Sequence, residues 1–304
     1  MSGRSGPAVS RVAGLLAGLL ALGVALIGPV AAQQAPMAKD LEFPSAPVQL
    51  SEFSVPEMVL LKPDGPGPFP ALVLHHQCGG LRRGQWRNQA MRDWAVKAVN
   101  RGYVVLLIDS LGPREVDWVC RGPKGGVNLG RGVRDALQGA NHLRKFSFVD
   151  AGRIAHVGYS WGAMVGLLAN SKSFRYFMES SANFAAYVSF YPGCFAVKRP
   201  DGSLLDLVRS DIDSRHLVLM GGKDTETPAD ECAARLAAAK AAGAPVEWEI
   251  YTDATHCWDC ENLDGLSKVD RRGNQVNYRY DAALTRAAGS RMFQFLEQAL
   301  NAER

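Results

Sequence analysis

Five residues near the middle of the chain, Gly158-Tyr159-Ser160-Trp161-Gly162, set a serine between two glycines. That spacing suits a sharp turn which lifts a hydroxyl clear of the backbone so that it can attack a carbonyl carbon. A hydroxyl alone is a poor nucleophile. It needs an imidazole to take its proton and a carboxylate to orient that imidazole. Two histidines follow Ser160, His216 and His256. His216 opens the apolar run "HLVLM", at the wrong end of a parallel strand, where it pairs locally or faces solvent. His256 lies in "IYTDATHCW", just past a strand. Asp224, in "LVLMGGKDTETP", ends the preceding strand and ranks ahead of Glu226 and Asp230, which sit further into the loop and the next helix. The order serine, aspartate, histidine predicts a nucleophile, an orienting acid and a base. The competing reading makes Ser160 a helix N-cap and Asp224 a free surface residue.

Attack would place negative charge on the carbonyl oxygen, and fixed N–H donors must meet it. The backbone N–H of Trp161 is one expected donor. The other is expected from "HHQCGG", with Gln77 the first choice and Cys78 the second. Neighbours in a strand point to opposite faces, so of His75 and His76 one packs in the sheet and the other lines the pocket; His76 is the pocket candidate. His156, inside a strand, reads as a satisfied core histidine. Trp118, Trp161 and Trp258 either wall the cleft or pack in the core.

These residues must be positioned by regular elements. Short apolar runs at 71–75, 103–108, 153–159, 185–190, 216–220 and 246–251 read as strands, most of them buried on both faces, with 55–61 as a further strand. Helical periodicity fills 86–100, 128–145, 163–169, 229–242 and 282–300. The alternation predicts one α/β domain, a mostly parallel sheet with helices on both faces. Ser160, Asp224 and His256 then all fall at carboxyl ends of strands, where such sheets hold their ligands. The polar stretch 261–280 reads as a loop bordering the site.

The chain has 304 residues, 47% of them hydrophobic, enough for a substantial core. Arg4 and Arg11, an uncharged apolar run over 12–27, a Gly28-Pro29 break and three small residues ending at Ala32 read as a signal peptide over 1–32. An uncleaved anchor is the rival reading. Residues 33–50, opening "QQAPMAKDLEFPSAP", read as a mobile lead-in, and 51–304 as the folded domain. Cleavage would remove two arginines and no acid, so the formal charge falls by two from +4. Near-neutrality argues against nucleic acid as a partner, and after cleavage no segment should bind a membrane. Six cysteines, Cys78, Cys120, Cys194, Cys232, Cys257 and Cys260, fit disulfides in an oxidising compartment. Cys257-Trp258-Asp259-Cys260 also has the spacing of a redox pair or half a zinc site, although no second such pair exists and it does not open a helix.

With "HHQCGGL", "GYVVLLIDSLGPRE", "RIAHVGYSWGAMVG", "GGKDTETP", "DATH" and a terminal helix from near Tyr280, the chain resembles the dienelactone hydrolase family over 53–300, above all its exported, cysteine-bearing members. The resemblance implies an α/β-hydrolase fold. It implies cleavage of an ester, lactone or related acyl bond of a small molecule, without metal or organic cofactor, in the periplasm or outside the cell. Ser160, Asp224 and His256 match the positions of nucleophile, orienting acid and base. Dienelactone hydrolases proper carry a cysteine where Ser160 stands and a glutamate where His76 stands, so serine esterase chemistry is implied rather than lactone chemistry as such. Arg114, in "SLGPRE", is a candidate for an anionic substrate group or for a structural salt bridge, and Trp258 for substrate contact. The same resemblance implies the pairs Cys78–Cys120, Cys194–Cys232 and Cys257–Cys260. Acyl transfer to an acceptor other than water would use the same residues; a fold kept for binding without turnover is a further reading, against which the complete, ordered triad argues.

Overall fold

The computed structural model describes residues 38–301, apart from 179, 181, 200 and 271. The signal peptide expected over 1–32 lies outside them. A seven-stranded sheet forms the centre: β1 (Val59–Leu61), β2 (Phe69–His75), β3 (Val104–Ile108), β4 (Val149–Tyr159), β5 (Ala186–Phe190), β6 (Arg215–Gly221) and β7 (Val246–Tyr251). Their spatial order is β1-β3-β2-β4-β5-β6-β7. Only the β1–β3 pair is antiparallel.

The central strands β2, β3 and β5 are buried and mostly apolar because both faces are covered, whereas the edge strand β7 carries Glu247 and Glu249. Along β2, Leu72 and Leu74 point to a layer holding α1 (Gln89–Val99) and α6 (Ala282–Asn301), where Met91, Trp94, Met292 and Phe295 pack. Ala71 and Val73 point the other way, to α2 (Leu129–Leu143) and α3 (Trp161–Ala169), with Val133, Leu137, Trp161 and Val165. The helix α4 (Lys172–Phe177) follows α3, and α5 (Ala229–Ala241) covers β6 through Leu236, Val218 and Met220. Side-chain caps mark several starts: Asn128 Oδ1 accepts from Arg131 N at 2.8 Å, and Asp281 Oδ1 from Leu284 N at 2.9 Å.

Several expectations are corrected. Only residues from Val59 onward join β1; Pro56, without an N–H, precedes them. The helix expected from Trp86 begins at Gln89, because Trp86–Arg87 pairs with Arg82–Arg83 and Asn88 caps the helix. The loop expected over 261–280 contains a hairpin, Ser267–Val269 against Gln275–Asn277. The lead-in is not loose from residue 38 on. Arg131 donates to Asp40 and to the Ala38 carbonyl, Arg114 to the Lys39 carbonyl, and His142 Nε2 lies 2.8 Å from the Pro44 carbonyl. Among the described residues no helix is long and apolar enough to cross a membrane.

Candidate active site

Ser160 occupies the single residue between β4 and α3. Its backbone is strained, with φ 50° and ψ −108°, a conformation that costs a non-glycine residue about 1–3 kcal/mol. The surroundings enforce it. A Cβ on Gly158 would lie 2.1 Å from the Gly162 carbonyl oxygen, and one on Gly162 would lie 2.3 Å from that of His75. The two glycines thus let α3 fold back over the end of β4 and let β2 pass against the turn. The Ser160 side chain makes no cap bond to α3. It faces His256 instead, with Oγ 3.0 Å from Nε2.

His256 and Asp224 reach this point on adjacent loops. The Gly221-Gly222 pair makes that approach possible: Cβ atoms there would lie 2.5 Å from the Ala254 carbonyl oxygen and 2.6 Å from that of Thr252. Lys223 N donates to Ala254 O at 2.9 Å and locks the two loops together. His256 Nδ1–H then donates to Asp224 Oδ2 at 2.7 Å, which turns Nε2 toward Ser160. Asp224 Oδ1 accepts from the backbone N–H of Glu226 and Thr227, both at 2.9 Å, and the Thr227 hydroxyl lies 2.7 Å from Oδ2. Asp230, the third carboxylate weighed from sequence, is spent in the first turn of α5.

All three side chains are nearly closed off; Ser160 is 6% exposed, His256 2% and Asp224 5%. Burial penalises charge on Asp224 and His256, yet their mutual pairing wins. Burial would raise the Asp224 carboxyl, but the His256 charge and the hydrogen bonds from His256 and Thr227 hold it below its ordinary value. Burial would lower the imidazole, but the carboxylates of Asp224 and Glu226 push it up to about 10.

The loop after β2 is stitched to the same turn. Gly162 N donates to the His76 carbonyl at 3.1 Å, and the His76 ring stacks on Trp161 at 5.8 Å. Among the described residues no acceptor meets the backbone N–H of Gln77 or Trp161. The Gln77 side chain is anchored elsewhere, donating to Tyr191 OH at 3.2 Å and accepting from Asn88 Nδ2 at 2.6 Å. His76 does not line a pocket. It is fully buried, with Nδ1–H donating to the Gln77 carbonyl at 2.6 Å and Nε2 accepting from Ser110 N at 3.0 Å. Burial holds it below its ordinary pKa, so it stays neutral and braces the loop. His75 is buried as well, between Ser110 Oγ and His156 Nε2.

Other candidates fall outside the site. Arg114 forms a two-pronged pair with Asp135 at 2.7 and 2.8 Å, its side chain 2% exposed, so its guanidinium serves the fold and not a substrate. Trp258 is fully buried against Tyr191 and Phe190, because its backbone carbonyl receives the start of α6 through Asp281 N and Thr285 Oγ1. Trp118 is half-buried, with Arg121 and Lys124 over its ring. His216 neither faces solvent nor pairs nearby in sequence; Ser189 Oγ and Asn170 Nδ2 hold it in the core. His156 has one ring nitrogen, Nδ1, without a partner among the described residues.

The sulfurs of Cys78 and Cys120 are bonded, as are those of Cys194 and Cys232. Cys257 and Cys260 are free and buried, contrary to the third expected pair. The Cys260 Sγ turns to Asp259 Oδ1 and Gln77 Nε2, each at 3.6 Å. Together with Asp259 the two thiols lie within 4.8 Å of one another, but both Asp259 oxygens already accept, from Trp94 Nε1 and Tyr191 OH.

Sequence reasoning missed the neighbours that shape the relay. Thr227 fixes Asp224, and Tyr191, held at φ 41°, packs its ring 4.8 Å from that of His256. Lys268 and Tyr278, from the 267–277 hairpin and the residue after it, hold Glu226 beside the imidazole. The only signal for Lys268 and Tyr278 was membership of the long polar stretch 261–280. Two open depressions of about 590 and 440 Å³ lie on the outer side of these loops, and neither is lined by Ser160 or His256.

A serine on a strained strand-to-helix turn, with histidine and aspartate from the next rim loops of a parallel sheet, defines the α/β-hydrolase class. Solved structures agree on the fold. A putative dienelactone hydrolase from Klebsiella pneumoniae superposes with a TM-score of 0.57 at 18% identity, covering 77% of this chain and 89% of that one. A thermophilic esterase from Thermogutta terrifontis, bound to propionate, gives 0.58 at 16% identity over 83% and 98%. A dienelactone hydrolase-like promiscuous phosphotriesterase from metagenomic libraries gives 0.55 at 16% over 77% and 87%. No curated protein matches the chain. Within the class, the chain belongs to the dienelactone hydrolase family, whose profile matches residues 57–300. It is a hydrolase acting on ester bonds.

Proposed function

We propose that the protein is an exported serine esterase working through Ser160, His256 and Asp224 and a covalent acyl-enzyme. The observation that carries this reading is the unbroken relay, Ser160 Oγ to His256 Nε2 at 3.0 Å and His256 Nδ1 to Asp224 Oδ2 at 2.7 Å. His256 takes the Ser160 proton as Oγ bonds to the acyl carbon, then returns it to the leaving oxygen. Water repeats the sequence and frees the acid. The backbone N–H groups of Trp161 and Gln77 meet the oxyanion; the tie from Gly162 N to the His76 carbonyl supports that pairing. The low exposure of Ser160 favours a small acyl substrate. Two disulfides on the chain support export; removal of residues 1–32 would leave the lead-in 33–50 and the catalytic domain 51–304.

A panel of p-nitrophenyl esters and lactones tests this reading on the wild type and Ser160→Ala. Loss of turnover by roughly 10⁴–10⁶-fold is expected in the variant, together with loss of fluorophosphonate labelling. Wild-type rates in Ser160→Ala would overturn the assignment. A protein that only binds would leave Ser160 unlabelled, and products bearing an added alcohol in place of the free acid would mark an acyl transferase.

A further inference from the structure

The loop after β6 sends two carboxylates to His256, and the relay uses only one. Asp224 takes Nδ1. Glu226, two residues on, has Oε2 3.9 Å from Nε2, the nitrogen that faces Ser160. It is held there from outside its own loop. Tyr278 OH donates to Glu226 Oε2 at 2.7 Å, Lys268 Nζ donates to Oε1 at 3.0 Å, and the same ammonium donates to Tyr278 OH at 2.7 Å. Arg272 adds a bond to the Glu226 backbone carbonyl at 2.9 Å. The side chain is 18% exposed, so little water screens it from the imidazole. Nothing in the relay requires this arrangement, since Asp224 already orients the ring.

Its consequence follows from when charge appears. As Ser160 Oγ bonds to the acyl carbon, its proton passes to Nε2 and the carbonyl electron pair moves onto oxygen. In the reactive form, whose ring starts neutral, the imidazolium appears at that moment and lasts until the proton leaves with the departing oxygen. A carboxylate fixed on the Nε2 side therefore interacts more strongly with the activated state than with the neutral-ring form that precedes it, which is the condition for accelerating the step from that form.

We propose that Glu226 is a positioning residue which, clamped by Lys268 and Tyr278 at the Nε2 edge of His256, stabilises the imidazolium formed during attack, with Lys268 attenuating its charge. This rests on the proposed relay. The ionisable groups facing the imidazole are Asp224, Glu226, Lys268, Tyr278, Tyr191 and Cys257. Of these, Glu226 and Lys268 act on His256 with opposite sign. Burial works against charge on the imidazole, and the Glu226 carboxylate adds to Asp224 in overcoming it.

The test is the pH profile of kcat/KM on a short p-nitrophenyl ester for the wild type, Glu226→Gln and Lys268→Met. Glu226→Gln should move the acid limb down by about one unit and lower kcat roughly tenfold, with KM little changed. Lys268→Met should move the limb up, because Glu226 loses its counter-charge. A limb that stays in place in both variants, or moves the same way in both, reduces Glu226 to a brace and overturns the proposal. Should Glu226→Gln not fold, Tyr278→Phe reads the same coupling: removing the donor leaves more charge for His256, and an unmoved limb counts against it. Ser160→Ala, run alongside, separates the two failures. Full activity there sinks the relay itself, whereas an inactive Ser160→Ala with an unmoved Glu226→Gln limb sinks only the role of Glu226.

Discussion

Asp224 and His256 show how pairing keeps a buried carboxylate and imidazole charged. Asp224 accepts four hydrogen-bond contacts, from His256, the Thr227 hydroxyl and two backbone N–H groups, so its carboxylate remains ionised in spite of burial. Asp224→Asn should leave the fold intact by circular dichroism while lowering kcat about 10⁴-fold, because an amide at this position no longer holds the proton on Nδ1. The raised imidazole sets opposite pH demands on activity and stability. With His256 pushed up to about 10, the neutral base becomes available only on the alkaline side, and kcat/KM should climb from neutral pH upward. Its stabilising contribution runs the other way. The protonated ring paired with Asp224 and Glu226 supports the fold fully below the ordinary value near 6.5 and fades as pH rises through about 10. Rate and thermal midpoint, both measured against pH, should therefore diverge across this window.

At the scale of elements, the site is made by backbones that approach more closely than side chains allow. Gly158 and Gly162 bring β2, β4 and α3 together around Ser160, and Gly221 and Gly222 bring the loops after β6 and β7 together around the acid–base pair. Gly162→Ala places a Cβ within 2.3 Å of the His75 carbonyl oxygen. The strand or the turn must move, and such overpacking typically costs 1–3 kcal/mol, so we expect a loss of about that size in urea titrations. The larger effect should fall on kcat, since the Gly162–His76 tie that couples Trp161 to the Gln77 loop lies at the point of collision. A variant with unchanged kcat would show that the loop tolerates displacement. The strained φ of Ser160 is maintained by these same contacts and has no local sequence cause apart from the glycines.

For the molecule as a whole, the two disulfides lie at the rim of the site. Cys78–Cys120 joins the loop after β2 to the loop after β3, and Cys194–Cys232 joins the loop after β5 to α5. They close loops of 42 and 38 residues, for which roughly 2–4 kcal/mol of stabilisation each is typical. Reductant should lower the thermal midpoint and loosen the loop holding Gln77 and Cys78, read as a fall in kcat before global unfolding. A midpoint and rate insensitive to reductant would deny the bridges any role in solution. Behind the site, Arg114, Arg131 and Asp135 form a buried ionic cluster that also ties down residues 38–40. The fold thus spends internally Arg114, which from sequence was a candidate for an anionic substrate group or a structural salt bridge.

The sequence by itself determined the alternation of strands and helices, the turn at Ser160 and the order of Asp224 and His256. Each of these is local: buried strands must be apolar, a tight turn must have glycine, and strand ends fall where the apolar runs stop. Only the tertiary structure decided what depends on contacts between distant segments. It turned His76 into a brace and buried Arg114 on Asp135 and Trp258 in the core. It also left Cys257 and Cys260 unbonded and set Lys268 and Tyr278 on Glu226 beside the imidazole. Residue type records what a side chain is able to do. Which partner it meets is decided by packing of the whole chain, because charge and hydrogen bonding in a nearly closed site are governed by whatever the fold places within a few ångströms.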